Sequence, residues 1–295
     1  MPVTRLHQLT GPRAEAANRL LDLTANIPLA DIERSCKFSA GTLSRERLLL
    51  GQTAALLAGT TLDAAPRFLR LPPSAKLPYM QDRLRANFIY LGFEGSAQGL
   101  SYRIHLEFPV KLAQQLDAAT GQMTPTLLAR GYKWDALQPE RDHYDATDYW
   151  WHPRLTVDQI HMRLAALWAQ QPGSDADTPS MPHTPALAAA QALVKRTIDL
   201  GRHRSNALDW QYLEVTEPAS SHHSFDLNVY KADLRMAELA GEMRALAQAL
   251  GIDDADVDAF LADTADATLG HVSGGLGRDG QPFLTVYYTT PDNRP

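Results

Sequence analysis

A single cysteine, Cys36, stands in a chain of 295 residues. No intramolecular disulfide can form, which fits a reducing compartment and excludes a disulfide-built scaffold. Long apolar runs are also missing, and nothing approaches the roughly 20 residues that a membrane-crossing helix needs. The opening stretch from Met1 to Leu20 has neither an apolar core nor a small-residue cleavage pattern, so no secretory leader is expected there. These absences point to a cytoplasmic protein with no membrane partner. Charge of one sign is scarce too. The 28 Lys and Arg nearly offset the 34 Asp and Glu, leaving −6. That argues against nucleic acid as a partner of the whole molecule, but it does not forbid a local pocket of arginines.

The usual enzyme signatures are absent as well: no G-x-S-x-G elbow, no P-loop, no Cys-His pair and no DDxxD. Gly275 to Gly280 spells G-x-G-x-x-G, but a strand-like run follows where a dinucleotide site needs a helix, so a hairpin turn is expected. Asp142, His143, Asp145, Asp148 and His152 are metal-ligand types at a spacing that fits no metal motif. A metal-dependent hydrolase built on them is the reading least supported. Asp253 to Asp258 reads as the acidic start of a helix. His222-His223 reads as a solvated hairpin tip.

What the chain does have is a repeated pattern. Five times it offers two short strand-like runs around a turn: Ile32–Ala40 with Leu43–Gly51, Arg85–Glu94 with Leu100–Phe108, Gly131–Leu137 with Thr147–His152, Ala207–Val215 with His223–Lys231, and Thr268–Gly274 with Pro282–Thr289. Helical periodicity fills Val110–Ala119, Thr156–Gln170, Ala186–Leu200 and Ala232–Leu250, and a short helix follows Asp253. Pro66–Pro78 and Gln171–Pro185 read as connections. Ten antiparallel strands interrupted by helices satisfy their edges best by closing into a barrel, here as one domain over 1–295.

Strand alternation sorts the side chains. Tyr102, Ile104, Leu106 and Phe108 oppose Ser101, Arg103, His105 and Glu107; Phe225, Leu227 and Val229 oppose Asp226, Asn228 and Tyr230. Leu284 and Val286 oppose Phe283, Thr285 and Tyr287, while Cys36 and Phe38 oppose Glu33, Ser35 and Lys37. Trp210, Tyr212 and Glu214 share a face. The apolar sets need the helices, which leaves the cationic, acidic and ring-bearing sets to a polar barrel interior. A ten-stranded barrel is wide enough to hold a ligand.

Glu33-Arg34-Ser35-Cys36-Lys37-Phe38, then Leu43, then Arg47-Leu48-Leu49-Leu50, resembles the opening of the cyanobactin-type peptide prenyltransferases, the PatF/TruF family. Ser101 to Leu106 is similar to that family's Ser-x-Lys-x-His strand with Arg103 replacing Lys, and Leu269 to Tyr288 to its closing hairpin. The stretch from Trp134 to Ala207 departs from the pattern. The resemblance implies an αββα prenyltransferase barrel, with ten antiparallel strands inside a ring of helices. It implies transfer of a prenyl group from dimethylallyl or geranyl diphosphate to a side chain or terminus of a ribosomal, cyclic peptide. Such chemistry needs cations on the leaving diphosphate, aromatic faces around the allylic cation and a carboxylate at the acceptor. Glu33 is then the base or acceptor anchor. Arg47 and Arg103 meet the diphosphate with His105 assisting, Lys133 is a further phosphate ligand, and Tyr230 and Tyr287 are shield and hydroxyl donors. Mg2+ would be held mainly by the diphosphate and water. A small-molecule aromatic prenyltransferase and a non-catalytic ligand-binding barrel are the alternatives.

Overall fold

Hydrophobic alternation in this chain is paired by turns into antiparallel ladders, and the computed structural model shows how they join. It describes residues 9–25, 27–57, 61–96, 99–109, 124–169 and 184–289. The strands are β1 (Asp31–Ser39), β2 (Thr42–Ser44), β3 (Arg47–Thr53), β4 (Phe88–Ser96), β5 (Gly99–Glu107), β6 (Thr126–Asp135), β7 (Asp145–His152), β8 (Gln211–Thr216), β9 (His223–Asn228), β10 (Thr268–Leu276) and β11 (Pro282–Thr289). They form one sheet in chain order, except that β1 lies between β2 and β3, and β11 also pairs with β1. The sheet therefore closes into a barrel. Both β2 and β3 pair with β1, so they are two stretches of one expected strand, and the total is the expected ten.

Contacts gather into two units, one from the described residues of 1–34 and 45–149, the other from 35–44 and 150–291. In the first unit, Leu48, Leu50, Ile89, Leu91, Phe93, Ile104 and Leu106 are buried on the helix-facing side of β3, β4 and β5. Three aromatic side chains on that side reach the helical layer with their polar tips, since a buried hydroxyl or indole N–H needs a partner. Tyr102 donates to the Ala16 carbonyl at 2.7 Å in α1 (Gly11–Thr24), and Trp134 donates to the Leu69 carbonyl at 3.1 Å, just beyond α3 (Thr61–Phe68). Tyr132 donates to Asp82 at 2.6 Å in α4 (Pro73–Arg83). The short α2 (Ala54–Leu57) follows β3 directly. None of α1, α2, α3 and α4 was expected. The Pro66–Pro78 run reads as a connection, yet Pro73 sits in the first turn of α4, where its missing N–H costs nothing.

In the second unit, Phe38, Phe225, Leu227, Val272, Leu284 and Val286 pack under α5 (Val157–Ala169), α6 (Pro185–Gly201), α7 (Ala240–Ala249) and α8 (Asp254–Thr264). Thr184 caps α6 by accepting from the Leu187 N–H at 3.1 Å, and Asp253 caps α8 through the N–H groups of Ala255 and Asp256. The expected helix over Ala232–Leu250 begins only at Ala240. Before it the chain runs beside β10 in two short 3₁₀ turns, with the Leu269 N–H bonded to the Leu234 carbonyl and Asp233 left-handed at φ 45°. The G-x-G-x-x-G stretch is the β10–β11 turn, closed by Gly277 N–H to the Gln281 carbonyl at 2.8 Å. The expected helix over 110–119 and most of the 171–185 connection lie outside the described residues.

Candidate active site

Cross-strand register decides which polar side chains meet. On β3, β4, β5 and β6 the face turned away from the helices carries four rows about 7 Å apart. The first pairs Arg47 with Glu94 and Glu94 with Ser101. The second runs Glu33, Leu49, Gly92, Arg103, Lys133. The third runs Asp31, Gly51, Tyr90, His105, Gly131, and the fourth includes Phe88 and Glu107.

The first two rows build a cationic knot around one carboxylate. Glu94 is 6 % exposed, and its Oε1 lies 3.1 Å from Arg47 and 3.3 Å from Arg103, with Lys133 Nζ 2.6 Å from Oε2. Burial alone would raise the Glu94 carboxyl, but the Coulombic pull of Arg103, Arg47 and Lys133 and the Lys133 hydrogen bond hold it well below the usual carboxylate range. Three positive groups against one negative leave this group of four at plus two. One row along, the face turns aromatic. Tyr90 lies over Gly51, donates to Asp31 at 2.8 Å and meets the His105 ring edge at 6.1 Å; His105 meets Tyr149 at 4.7 Å. His105 Nε2 is 3.6 Å from Glu107. Burial, with Glu33, Glu107 and Asp31 nearby, pushes the Tyr90 hydroxyl far above the ordinary phenol value, so it stays a donor.

Sequence reasoning named Arg47, Arg103 and Lys133, and the structure brings these three together on Glu94, a residue it did not name. His105 sits one row on, among rings. Glu33 is buried, at 6 % exposure, in the row of Arg103 and Lys133. Tyr230 and Tyr287 belong to the other unit. There His271 Nδ1 lies 2.8 Å from Asp226, and its ring stacks on Tyr287 at 3.9 Å and 10° with Tyr230 tilted beside it at 6.3 Å. His271 was not foreseen.

Other expectations resolve differently. Trp210 and Tyr212 are core residues on the helix side: the Trp210 ring lies where a Cβ on Gly201 would be, 2.7 Å away, and its N–H bonds Ser205. Glu214 on the same face takes Arg163 at 2.8 Å, with His152 at 3.3 Å and His223 at 3.6 Å. His222 stacks on Phe283 at 18°, so the His222-His223 pair is not a solvated tip. Lys37 Nζ also stands over the Phe283 ring at 4.5 Å. Of the five residues with metal-ligand chemistry, Asp148 takes two bonds from Arg130, Asp142 accepts the Ser74 N–H, and His152 pairs with Glu214. Among the described residues no three His, Cys, Asp or Glu gather to hold a metal ion, and no helix is long and apolar enough to cross a membrane.

The architecture matches solved structures. The chain is similar to 5-dimethylallyltryptophan synthase from Streptomyces coelicolor at 13 % identity, with 98 % of this chain and 94 % of that one covered and a TM-score of 0.60. It is similar to AnaPT from Neosartorya fischeri at 12 % identity, with 94 % and 86 % covered and a TM-score of 0.53. It is similar to NotF prenyltransferase at 13 % identity, with 95 % and 90 % covered and a TM-score of 0.51. No family model and no curated relative matches the sequence. The fold is the prenyltransferase barrel.

Proposed function

We propose that the chain is a prenyltransferase acting as one cytoplasmic domain, and that the Glu94 knot receives the diphosphate of dimethylallyl or geranyl diphosphate. The observation that carries this reading is the group of Arg47, Arg103 and Lys133 on one buried carboxylate, inside a fold shared with named prenyltransferases. A carboxylate there holds three long cations in fixed positions, so an arriving diphosphate meets donors that need little reordering. His105 assists from the next row. The aromatic row of Tyr90, His105 and Tyr149 suits the allylic carbon, because ring faces attract a developing cation while excluding water. Tyr230 and Tyr287 supply a second set of rings and hydroxyls. Both oxygens of Glu94 already meet cations, so Mg2+ enters held mainly by the diphosphate and water. Glu33 meets the acceptor as anchor or base.

The acceptor we infer is a side chain or terminus of a ribosomal, cyclic peptide, on the likeness of Glu33 to Phe38 and Arg47 to Leu50 to cyanobactin-type enzymes. A second reading, a small aromatic acceptor, is favoured by the name of the Streptomyces coelicolor neighbour, a dimethylallyltryptophan synthase. Incubation with dimethylallyl or geranyl diphosphate, Mg2+ and a panel of cyclic peptides, tryptophan and tryptophan dipeptides separates them. A mass gain of one prenyl unit on a peptide supports the first, and gain on free tryptophan alone supports the second. No gain on any acceptor, with no donor binding, means a ligand-binding barrel.

A further inference from the structure

Of the eight large apolar side chains left exposed among the described residues, three fall on one stripe of α4. Leu77 is 68 % exposed, Met80 46 % and Leu84 81 %. Leu84 keeps right-handed helical angles at the C-cap, so the three stand at i, i+3 and i+7 of one helical face. The opposite face is the one the fold uses. Ala75 and Tyr79 are fully buried, Asp82 is 4 % exposed, and the Tyr79 ring meets Tyr132 edge-on at 6.0 Å. Asp82 takes bonds from Tyr132 and Arg130, so α4 is fixed to the sheet from inside, and its outer stripe is apolar without serving the core.

Scattered exposed leucines are ordinary on a protein surface, but a stripe at this spacing is the a, d, a seam of a two-helix contact. Its flank is charged. Lys76 and Arg83 both fall at the g position of that heptad, with Ser74 and Gln81 at the e position. From Arg67 to Arg85 the chain carries five cations, Arg67, Arg70, Lys76, Arg83 and Arg85, against one acid, the inward-turned Asp82. A local excess of positive charge thus borders the stripe in a molecule of net −6.

We propose that α4 docks an acidic amphipathic helix of a partner protein. The partner's apolar seam covers Leu77, Met80 and Leu84, and its carboxylates face Lys76 and Arg83. Charge at the flanks selects this occupant. In an antiparallel pair with a second copy, g positions meet g positions, and cations would oppose cations. A bilayer would favour a broad apolar face, whereas an a/d-only stripe is the narrow seam of a helix pair. The seam is about 10 Å long, so the contact is weak and reversible. The inference stands apart from the prenyltransferase reading, because α4 packs on the helix-facing side of β6, outside the barrel.

The test uses the full chain and a labelled synthetic helix of about 20 residues, with Leu at a and d and Glu at e and g. Its twin carries Lys at e and g. Fluorescence anisotropy should show micromolar binding of the Glu peptide, weakened by salt, and none of the Lys peptide. The double variant Leu77→Gln with Leu84→Gln, and separately Lys76→Glu, should each weaken binding about tenfold or more. Both should melt like wild type, as exposed positions do. No binding of the Glu peptide, equal binding of the two peptides, or unchanged binding in the variants would overturn the proposal. So would sedimentation with phosphatidylserine vesicles, or a dimer in solution, that the double variant abolishes. A core-sized loss of stability in the double variant would mean that the chain itself covers the stripe, and would overturn it too.

Discussion

Glu94 is the residue on which the proposed donor site turns. Removing its charge leaves Arg47, Arg103 and Lys133 facing one another. Glu94→Gln should therefore cost about 3 kcal/mol, the low end for breaking a buried ion pair because Lys133 reaches solvent; urea unfolding measures it. The pH dependence has a definite sign. A carboxyl depressed in the folded state contributes fully above its unfolded value near 4.3 and loses that contribution as pH falls through the folded one. The deficit of the variant should stay constant from about pH 5 to 8 and shrink only in acid. Gly51 makes a second case. A Cβ there would meet the Tyr90 ring at 2.6 Å and Phe88 at 2.7 Å. Gly51→Ala should push Tyr90 off Asp31, cost about 1–3 kcal/mol by overpacking and slow transfer. Gly99→Ala, with no other described residue within 4 Å of the added Cβ, should melt like wild type. The cationic residues of this site were legible because alternation puts Arg103 opposite Ile104. Glu94 was not, since its meaning comes from a partner 47 residues away, and only register supplies that. His271 was hidden for another reason. Strict alternation from Leu269 puts it on the greasy face, but the ladder slips between Leu269 and His271, and the bulge turns His271 to the polar side.

Among elements, the hairpins were the most legible part, since turn residues and alternation are local properties. The fifth pair runs almost where it was read, at Thr268–Leu276 and Pro282–Thr289. The third begins earlier, at Thr126, because β6 continues along β5 down to Ala129 opposite Glu107. Helices that depend on capping or on the sheet were harder. The turns before α7 are set by backbone bonds to β10, which periodicity cannot see. α4 is tied to the sheet through Asp82, where Tyr132 and Arg130 converge at 2.6 and 3.1 Å. Tyr132→Phe should lower stability by about 1.5–3 kcal/mol, the range for a lost bond to a charged group. The urea midpoint should fall with the slope unchanged.

At the scale of the molecule, a net charge of −6 coexists with an inner face that gathers arginine and lysine on one acid. The lateral pairing of β3, β4, β5 and β6 makes that possible, because residues far apart in the chain share one register. The most direct test of the account is calorimetric titration with dimethylallyl S-thiolodiphosphate, a donor that does not ionise. The wild type should bind it, and Arg47→Ala and Arg103→Ala should each weaken binding at least tenfold, about 1.4 kcal/mol. Equal affinity in all three proteins, or none in the wild type, would contradict the placing of the diphosphate at Glu94.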